Sequence, residues 1–239
     1  MLDISEKTND EWVRLQQKTF TRWCNVHLGE RVMKINDLLT DLSDGIMLCN
    51  LLEIISSKSI KFNQKIRNNF HRAENLNAAL AFIRSEGIVL VNTGQEDISN
   101  GNQRIILGLI WTIILRYQIQ KGDGKKSPKQ DLLDWVNKQI KPYGLQECKG
   151  FTNDFQNGWV LNTLCDCLEP GLIDLNDVKA SQPMKNNAQA LNLADSKFDI
   201  PAILDPIDIV RVPDEHSMMT YVSYFRAYEA NRAKDLVIL

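Results

Sequence analysis

The chain has 239 residues, 44% of them hydrophobic and 24% charged, with a net charge of −2. This is the composition of a globular protein, and a charge this near neutrality disfavours nucleic acid as a partner. No apolar run approaches the roughly 20 residues that span a bilayer, and Met1-Leu-Asp-Ile-Ser-Glu6 lacks the basic start and apolar core of a secretion signal.

In chain order, Thr8-Asn-Asp-Glu11 has the spacing of a capping box, and Trp12, Leu15, Thr19, Trp23 and Val26 follow as a helical stripe. The polar face of that helix carries Gln17, Lys18, Thr21 and Asn25. A polar helical face of this kind is ordinarily solvated. Ser43 or Asp44 can cap a second helix bearing Ile46, Met47, Leu51, Leu52 and Ile55. Lys58, Lys61, Lys65, Arg67 and Arg72 then form a basic run. It is either a solvated face or an electrostatic element for an acidic partner. A third helix is predicted over Ala73–Ile83, and Ile88-Val-Leu-Val91 reads as an extended connection.

A fourth helix is predicted over Gln103–Tyr117. Ile106, Leu109 or Ile110, Ile113 and Tyr117 make one core stripe, while Ile105, Leu107, Trp111, Leu115 and Ile119 lie elsewhere around it. A helix apolar nearly all round is buried on more than one side. It is therefore either a central core helix or one that carries a second interface. Gly122-Asp-Gly-Lys-Lys-Ser-Pro128 is the only composition break and reads as an exposed linker, with Pro128 in the first turn of the next helix. Further helices are predicted near 128–140, 156–168, 186–197 and 215–230. The chain ends inside a helical stretch, Ala230–Leu239, which points to an excised N-terminal piece of a longer protein. The class is all-α.

The chain also repeats itself. Asp41-Leu-Ser-Asp44-Gly45-Ile-Met-Leu48-Cys-Asn-Leu51 returns as Asp154-Phe-Gln-Asn157-Gly158-Trp-Val-Leu161-Asn-Thr-Leu164. Trp23, Asn25, Asn75 and Ile88 return as Trp135, Asn137, Asn187 and Ile200. A period above roughly 100 residues is too long for a solenoid unit and long enough for a domain. The expected organisation is two tandem helical domains, 1–120 and 128–239, joined by a linker over 121–127. The first 120 residues hold 14 basic and 13 acidic side chains, against 14 and 17 in the rest. This asymmetry suits an acidic partner for the first domain.

Signals for chemistry are weak. Cys165-x-Cys167 has no second pair at zinc spacing, and helical geometry sends its two sulfurs to different faces. His27, His71 and His216 are scattered, with no nucleophile signature beside them. No phosphate loop, dinucleotide fingerprint or calcium loop is present. No cofactor or metal is expected, nor catalysis. The five cysteines are odd in number and lie mostly in apolar helical patterns, as buried thiols of a reducing cytosol do.

Thr19-Phe-Thr-Arg-Trp-Cys-Asn25, Asp44-Gly45, Gly101-Asn102 and Ile106-Leu-Gly-Leu-Ile-Trp-Thr-Ile-Ile-Leu-Arg-Tyr117 resemble the first calponin-homology domain of a tandem actin-binding region. Lys129-Gln-Asp-Leu-Leu-Asp-Trp135, Asn157-Gly158, Glu169-Pro-Gly171 and Pro213-Asp-Glu-His-Ser-Met-Met-Thr-Tyr221 resemble the second. The likeness covers nearly the whole chain and is strongest to filamins, with alpha-actinin and cortexillin as neighbours. The linker is shorter than that of animal filamins.

The resemblance implies binding to the sides of filamentous actin, an acidic polymer, as part of a crosslinking protein of the cytoplasmic actin cytoskeleton and cell cortex. It implies actin contacts at Gln17, Lys18, Thr21 and Asn25, at Gln103, Leu107, Trp111, Thr112 and Leu115, and at Lys129, beside the basic Lys61, Lys65 and Arg67. It sets Trp111 opposite Glu215 and His216 across the two domains. A phosphoinositide is a candidate further ligand, and the whole protein is expected to dimerise through other parts. A non-actin interaction module, for microtubules or signalling proteins, is the competing class.

Overall fold

A computed structural model of the chain describes residues 4–121 and 124–235. Among the described residues there are twelve α-helices and no strand, so the all-α expectation holds. Helix α1 (Ile4–Leu28) begins four residues before Thr8, which therefore lies inside the helix and does not cap it. Helix α2 (Leu38–Asp41) is capped by Asp37, whose carboxylate accepts the Leu39 N–H. Helix α3 (Ile46–Ser56) opens on Gly45, and the Asp44 carboxylate accepts the Ile46 N–H at 2.9 Å. Helix α4 (Asn69–Ser85) starts earlier than Ala73 because the Asn68 side chain accepts the His71 N–H.

Helix α5 (Gln95–Ser99) is a single turn. Helix α6 (Gln103–Ile114), capped by Asn102, runs on into a π-helical turn over Leu115–Ile119. Helix α7 (Pro128–Ile140) opens as its sequence predicts, with the Ser127 hydroxyl accepting the Gln130 N–H and Pro128 in the first turn. Gly158, at φ 79°, splits the stretch expected as one helix over 156–168 into α8 (Asn153–Gln156) and α9 (Trp159–Leu168). Helices α10 (Pro183–Phe198), α11 (Pro206–Arg211) and α12 (Glu215–Asp235) complete the chain. Ile88–Leu90 belong to no helix or strand, and the chain bends at Val91 and Asn92, the latter at φ 49°. Gly122 and Asp123 of the expected linker, and positions 236–239 of the expected terminal helix, lie outside the described residues.

The chain divides into two compact units, Gln17–Tyr117 and Met1–Gln16 with Gln118–Leu239, so α1 contributes to both. The first unit buries Phe20, Trp23, Leu38, Leu48, Leu80, Ile110 and Ile113. The second buries Leu132, Val136, Phe151, Phe155, Leu161, Ala194, Val222 and Phe225.

The repeat is written in polar clamps as well as in apolar positions. The Asn25 amide donates to the Ile35 carbonyl at 2.8 Å and accepts its N–H at 2.7 Å, closing the loop between α1 and α2. Asn137 does the same to Cys148, at 3.0 and 2.7 Å. Asp41 accepts the N–H groups of Asn36 and Asp37, and Asp154 those of Lys149 and Gly150. Glu53 accepts the Ile60 N–H and pairs with Arg31, while Asp166 accepts the Ile173 N–H and the Tyr143 hydroxyl.

One correspondence differs from the sequence reading. Asn75 donates to the carbonyls of Asp44 and Asn63, and it is Asn186, not Asn187, that donates to those of Asn157 and Lys179. The reason is packing. Gly45 and Gly158, both at positive φ, bring the chain so close that an added Cβ would stand 2.7 Å from the Asn75 Cβ and 2.6 Å from the Asn186 Cβ. Neighbouring Asn187 instead ties to Gln156 and Pro183.

The copies differ in residue type at one left-handed turn after their first long helix. After Gly29–Arg31 and Lys141–Tyr143, each a 3₁₀ turn, the backbone turns left-handed, at Val32 (φ 56°) in one copy and Gly144 (φ 73°) in the other. Val32 is 97% exposed, so its side chain has no packing to lose. A left-handed L-residue costs roughly 1–2 kcal/mol, and glycine gives back part of that through a looser unfolded chain. Val32→Gly is therefore expected to raise stability by about 0.5–1 kcal/mol in urea denaturation. A lowered midpoint would show that the valine side chain stabilises the turn.

All five thiols are free, and Cys24, Cys49, Cys148 and Cys165 are buried. Burial pushes the thiols of Cys49, Cys148 and Cys165 up to about 12 and that of Cys167 up to about 11. Cys165 lies against the Ala190 carbonyl and Cys167 against that of Gln139, so the pair does face two ways. Among the described residues no group of three or more His, Cys, Asp or Glu side chains could hold a metal, and no helix is long and apolar enough to cross a membrane.

Candidate binding surface

The basic run occupies the irregular segment between α3 and α4, and the structure fixes that segment from below. Glu53 on α3 holds the Ile60 N–H at 2.7 Å. Asn75 on α4, fully buried, accepts the Asn63 N–H at 2.6 Å and donates to the Asn63 carbonyl at 2.9 Å. His71 Nδ1 accepts the Arg67 N–H at 3.4 Å. Lys58 is neutralised by Glu86 at 2.7 Å, and that contact, the larger cause, holds the Glu86 carboxyl below its usual range. Lys61, Lys65 and Arg67 are exposed, and among the described residues none of the three is in an ion pair. Three cations thus stand on a backbone whose position is set by partly buried hydrogen bonds, so little ordering is left for a partner to impose.

Glu53 itself shows how the anchor is held. Burial works against its ionisation, but the Ile60 N–H and the Arg31 guanidinium prevail and keep its carboxyl below the ordinary value.

The remaining predicted contacts fall into separate groups. The Gln103 side-chain amide donates to the Gln17 side-chain oxygen Oε1 at 3.1 Å, and the Gln17 amide donates to Asp37 at 3.1 Å, so these side chains join α6, α1 and the start of α2. Asn25 is the loop clamp described above, and its amide is committed to backbone. The Thr21 hydroxyl donates to the Gln17 carbonyl and the Thr112 hydroxyl to that of Gly108. Leu107 is 6% exposed and offers no open surface, whereas Leu115 is half-buried. Trp111, which the apolar pattern left needing a cover, stacks on Phe20 within its own unit, with ring centroids 6.3 Å apart and planes at 9°. Lys129 pairs with Glu215 at 2.6 Å, a partner inside their own unit. His216 lies 3.5 Å from the Gln16 amide, and Gln16 also donates to Asp214 at 2.8 Å. Lys18 is half-buried on α1.

The clamping asparagines were the residues that sequence reasoning placed wrongly or missed. Their signal was the repeat itself, since an asparagine kept at the same place in both copies closes the same loop. Asn25→Ala should therefore act on folding. Two buried-side hydrogen bonds to backbone are lost, each leaving an unpaired group, for a total of about 2–3 kcal/mol. Thermal denaturation checks this, and an unchanged midpoint would return Asn25 to the list of surface residues.

Comparison with known proteins now decides the family. The calponin homology (CH) domain model matches residues 14–119 and again 126–231. The chain belongs to the calponin homology family. Interaptin of Dictyostelium discoideum is 44% identical over 236 residues, covering 93% of this chain. Sarcomeric alpha-actinin of Drosophila melanogaster is 37% identical over 222 residues, and human alpha-actinin-3 is 39% identical over 217, covering 91% and 90% of the chain. The chain spans only 14% of the length of interaptin and 24% of that of either alpha-actinin. Among solved structures, the actin-crosslinking core of Schizosaccharomyces pombe fimbrin superposes with a TM-score of 0.76, covering 88% of this chain and 49% of that one. At 22% identity this likeness establishes the shared fold. The two CH matches account for the doubled clamps and doubled glycines, one set to each domain.

Proposed function

We propose that this pair of CH domains is the filamentous-actin-binding region of an actin-crosslinking cytoskeletal protein. The observation that carries the reading is the tandem itself: two CH domains in one chain, 37–44% identical over nearly their whole length to alpha-actinins and interaptin. The fold shared with a fimbrin core described as actin-crosslinking supports it. The subfamily is read broadly, as actin-crosslinking, without a commitment to filamins. The pinned cations Lys61, Lys65 and Arg67, with Gln103, Thr112 and Leu115 of α6, are the residues we assign to the filament contact.

One tandem pair makes one filament site. Crosslinking then takes a second site, from another part of the protein or another copy, and linked sites gain avidity through effective concentration. The chain is accordingly expected to pellet with filaments at high speed, saturating at one per actin subunit, and to form no bundles. Failure to pellet at low salt would remove actin as the partner. Bundles at low speed would show that the chain carries a second filament site or self-associates.

A further inference from the structure

Of the seven prolines in the chain, one follows a serine or threonine: Pro128, after Ser127. The dipeptide stands where the linker meets the second CH match, with Lys125 and Lys126 before it and Lys129 after. Gly124–Ser127 are exposed and belong to no helix. Ser127 itself is extended, at φ −63° and ψ 150°. The cause is local, since the ring of Pro128 clashes with a helical residue before it. The folded chain therefore presents this serine on extended, accessible backbone, the form in which an enzyme cleft takes up a peptide segment.

The hydroxyl of Ser127 is also placed differently from those of the exposed Ser85 and Ser196. Each of these donates to a carbonyl one turn back in its own helix, Phe82 and Asn192, at 2.7 Å. The Ser127 oxygen instead accepts the Gln130 N–H at 3.2 Å. That bond engages one of its two lone pairs and leaves the other for a new bond.

The surroundings favour an anion. A hollow of about 270 Å³ beside the dipeptide is lined by Lys121, Lys125 and Lys126, with Asp131 as the acid among its lining residues. Asp131 is already paired with Arg226 at 2.8 Å. Burial, and then the positive charges of Arg226 and Lys234, hold the Lys121 ammonium below its ordinary value. The first turn of α7 adds the positive end of a helix of 13 residues.

We propose that Ser127 is a phosphorylation site for a proline-directed serine kinase, and that the phosphate rests on the first turn of α7 beside Lys125 and Lys126. In the transfer the Ser127 Oγ attacks the γ-phosphorus of ATP. The new O–P bond forms as the bond from that phosphorus to the bridging oxygen breaks, ADP leaves with the electron pair, and the hydroxyl proton passes to a carboxylate base of the kinase. The stretch Lys125–Lys129, at +3 from its three lysines, falls to about +1. The site lies apart from the cations assigned to the filament and does not depend on the actin reading.

The test incubates the whole chain with a purified mitogen-activated protein kinase and ATP, beside Ser127→Ala and Pro128→Ala, and locates phosphate by mass spectrometry of the digests. The parent should take up one phosphate, on Ser127, and Ser127→Ala none. Pro128→Ala keeps the hydroxyl and its cap, so the fold should survive. It loses the ring that such a kinase reads and should be modified about tenfold or more slowly. No phosphate on Ser127 of the parent, or a parental rate for Pro128→Ala, overturns the assignment. The urea midpoint of the phosphorylated chain tests where the group rests. A phosphate on a helix N-terminus stabilises, so the midpoint should rise. An unchanged or lowered midpoint overturns its place on α7.

Discussion

Gly158→Ala is expected to cause the largest loss of stability of any single methyl added to this chain. The new Cβ would stand 2.6 Å from the Asn186 Cβ, 3.0 Å from the Asn187 nitrogen and 3.1 Å from the Asn186 carbonyl carbon. Two of those three atoms are helix backbone, so relief requires α10 to move away from α9. That motion stretches the Asn186 bond to the Asn157 carbonyl and the Asn162 bond to the Asn186 carbonyl, 2.8 and 2.9 Å. The left-handed backbone adds about 1–2 kcal/mol, less what alanine saves in the unfolded chain. Overpacking adds about 1–3 kcal/mol.

A total of about 3 kcal/mol, within about 2–4, corresponds to a fall of about 6–12 °C, at ~2–4 °C per kcal/mol for a chain of this size. Gly144→Ala is the control. It has the same handed backbone, φ 73°, and nothing within 4 Å of its new Cβ, so it should lose only the conformational part, about 1 kcal/mol. Equal losses for the two alanines would show that close approach of the helices is not what the glycine serves. Gly45→Ala, 2.7 Å from the Asn75 Cβ, should behave as Gly158→Ala does.

Reversing Lys61, Lys65 and Arg67 to glutamate together should have the largest effect on binding. The three side chains are exposed and the segment is held by Glu53 and Asn75, neither of which is touched, so the fold should survive. Each reversal replaces an attraction to an acidic polymer by a repulsion worth roughly 1 kcal/mol at low salt. Three give about 3 kcal/mol, or on the order of a hundredfold in affinity. Near 1 M salt the Debye length is about 3 Å and most of the difference should vanish. Titration of sedimented chain against actin at two salt concentrations measures both parts. Parental affinity at low salt would sink the assignment of this segment to the filament contact.

Much of the architecture was legible because it is stated twice. The doubled Asp/Asn-Gly pair announced two modules, and both glycines proved to sit where α3 meets α4 and α9 meets α10. The amphipathic helix α7 declared itself by period and cap, Ser127 and Pro128 marking its start. The short ones did not. Helices α2, α5, α8 and α11 have four to six residues, too few for a periodic stripe, and the sequence pattern assigns none of them as a separate helix. Asparagines misled twice. Asn25 falls on a polar stripe and so looked like surface, while Asn75 was matched to Asn187 because a run of two asparagines hides which one faces the glycine. The apolar pattern of α6 was carried on to Tyr117 at a helical period, but the backbone enters a π turn at Leu115. Tyr117 there donates to Glu86 at 3.3 Å.

The burial of the cysteines sets how the chain behaves toward oxidants. The thiolate is the reactive form, and burial pushes these thiols up and so favours the unreactive protonated form at neutral pH. Cys49 and Cys165 point at backbone carbonyls from within the helix contacts that the two glycines permit, between α3 and α4 and between α9 and α10. The seams that join each domain are thus also where its sulfur is stored out of reach, and covalent capture of either thiol requires the seam to part first. Modification of Cys49 or Cys165 thus reports opening of its domain.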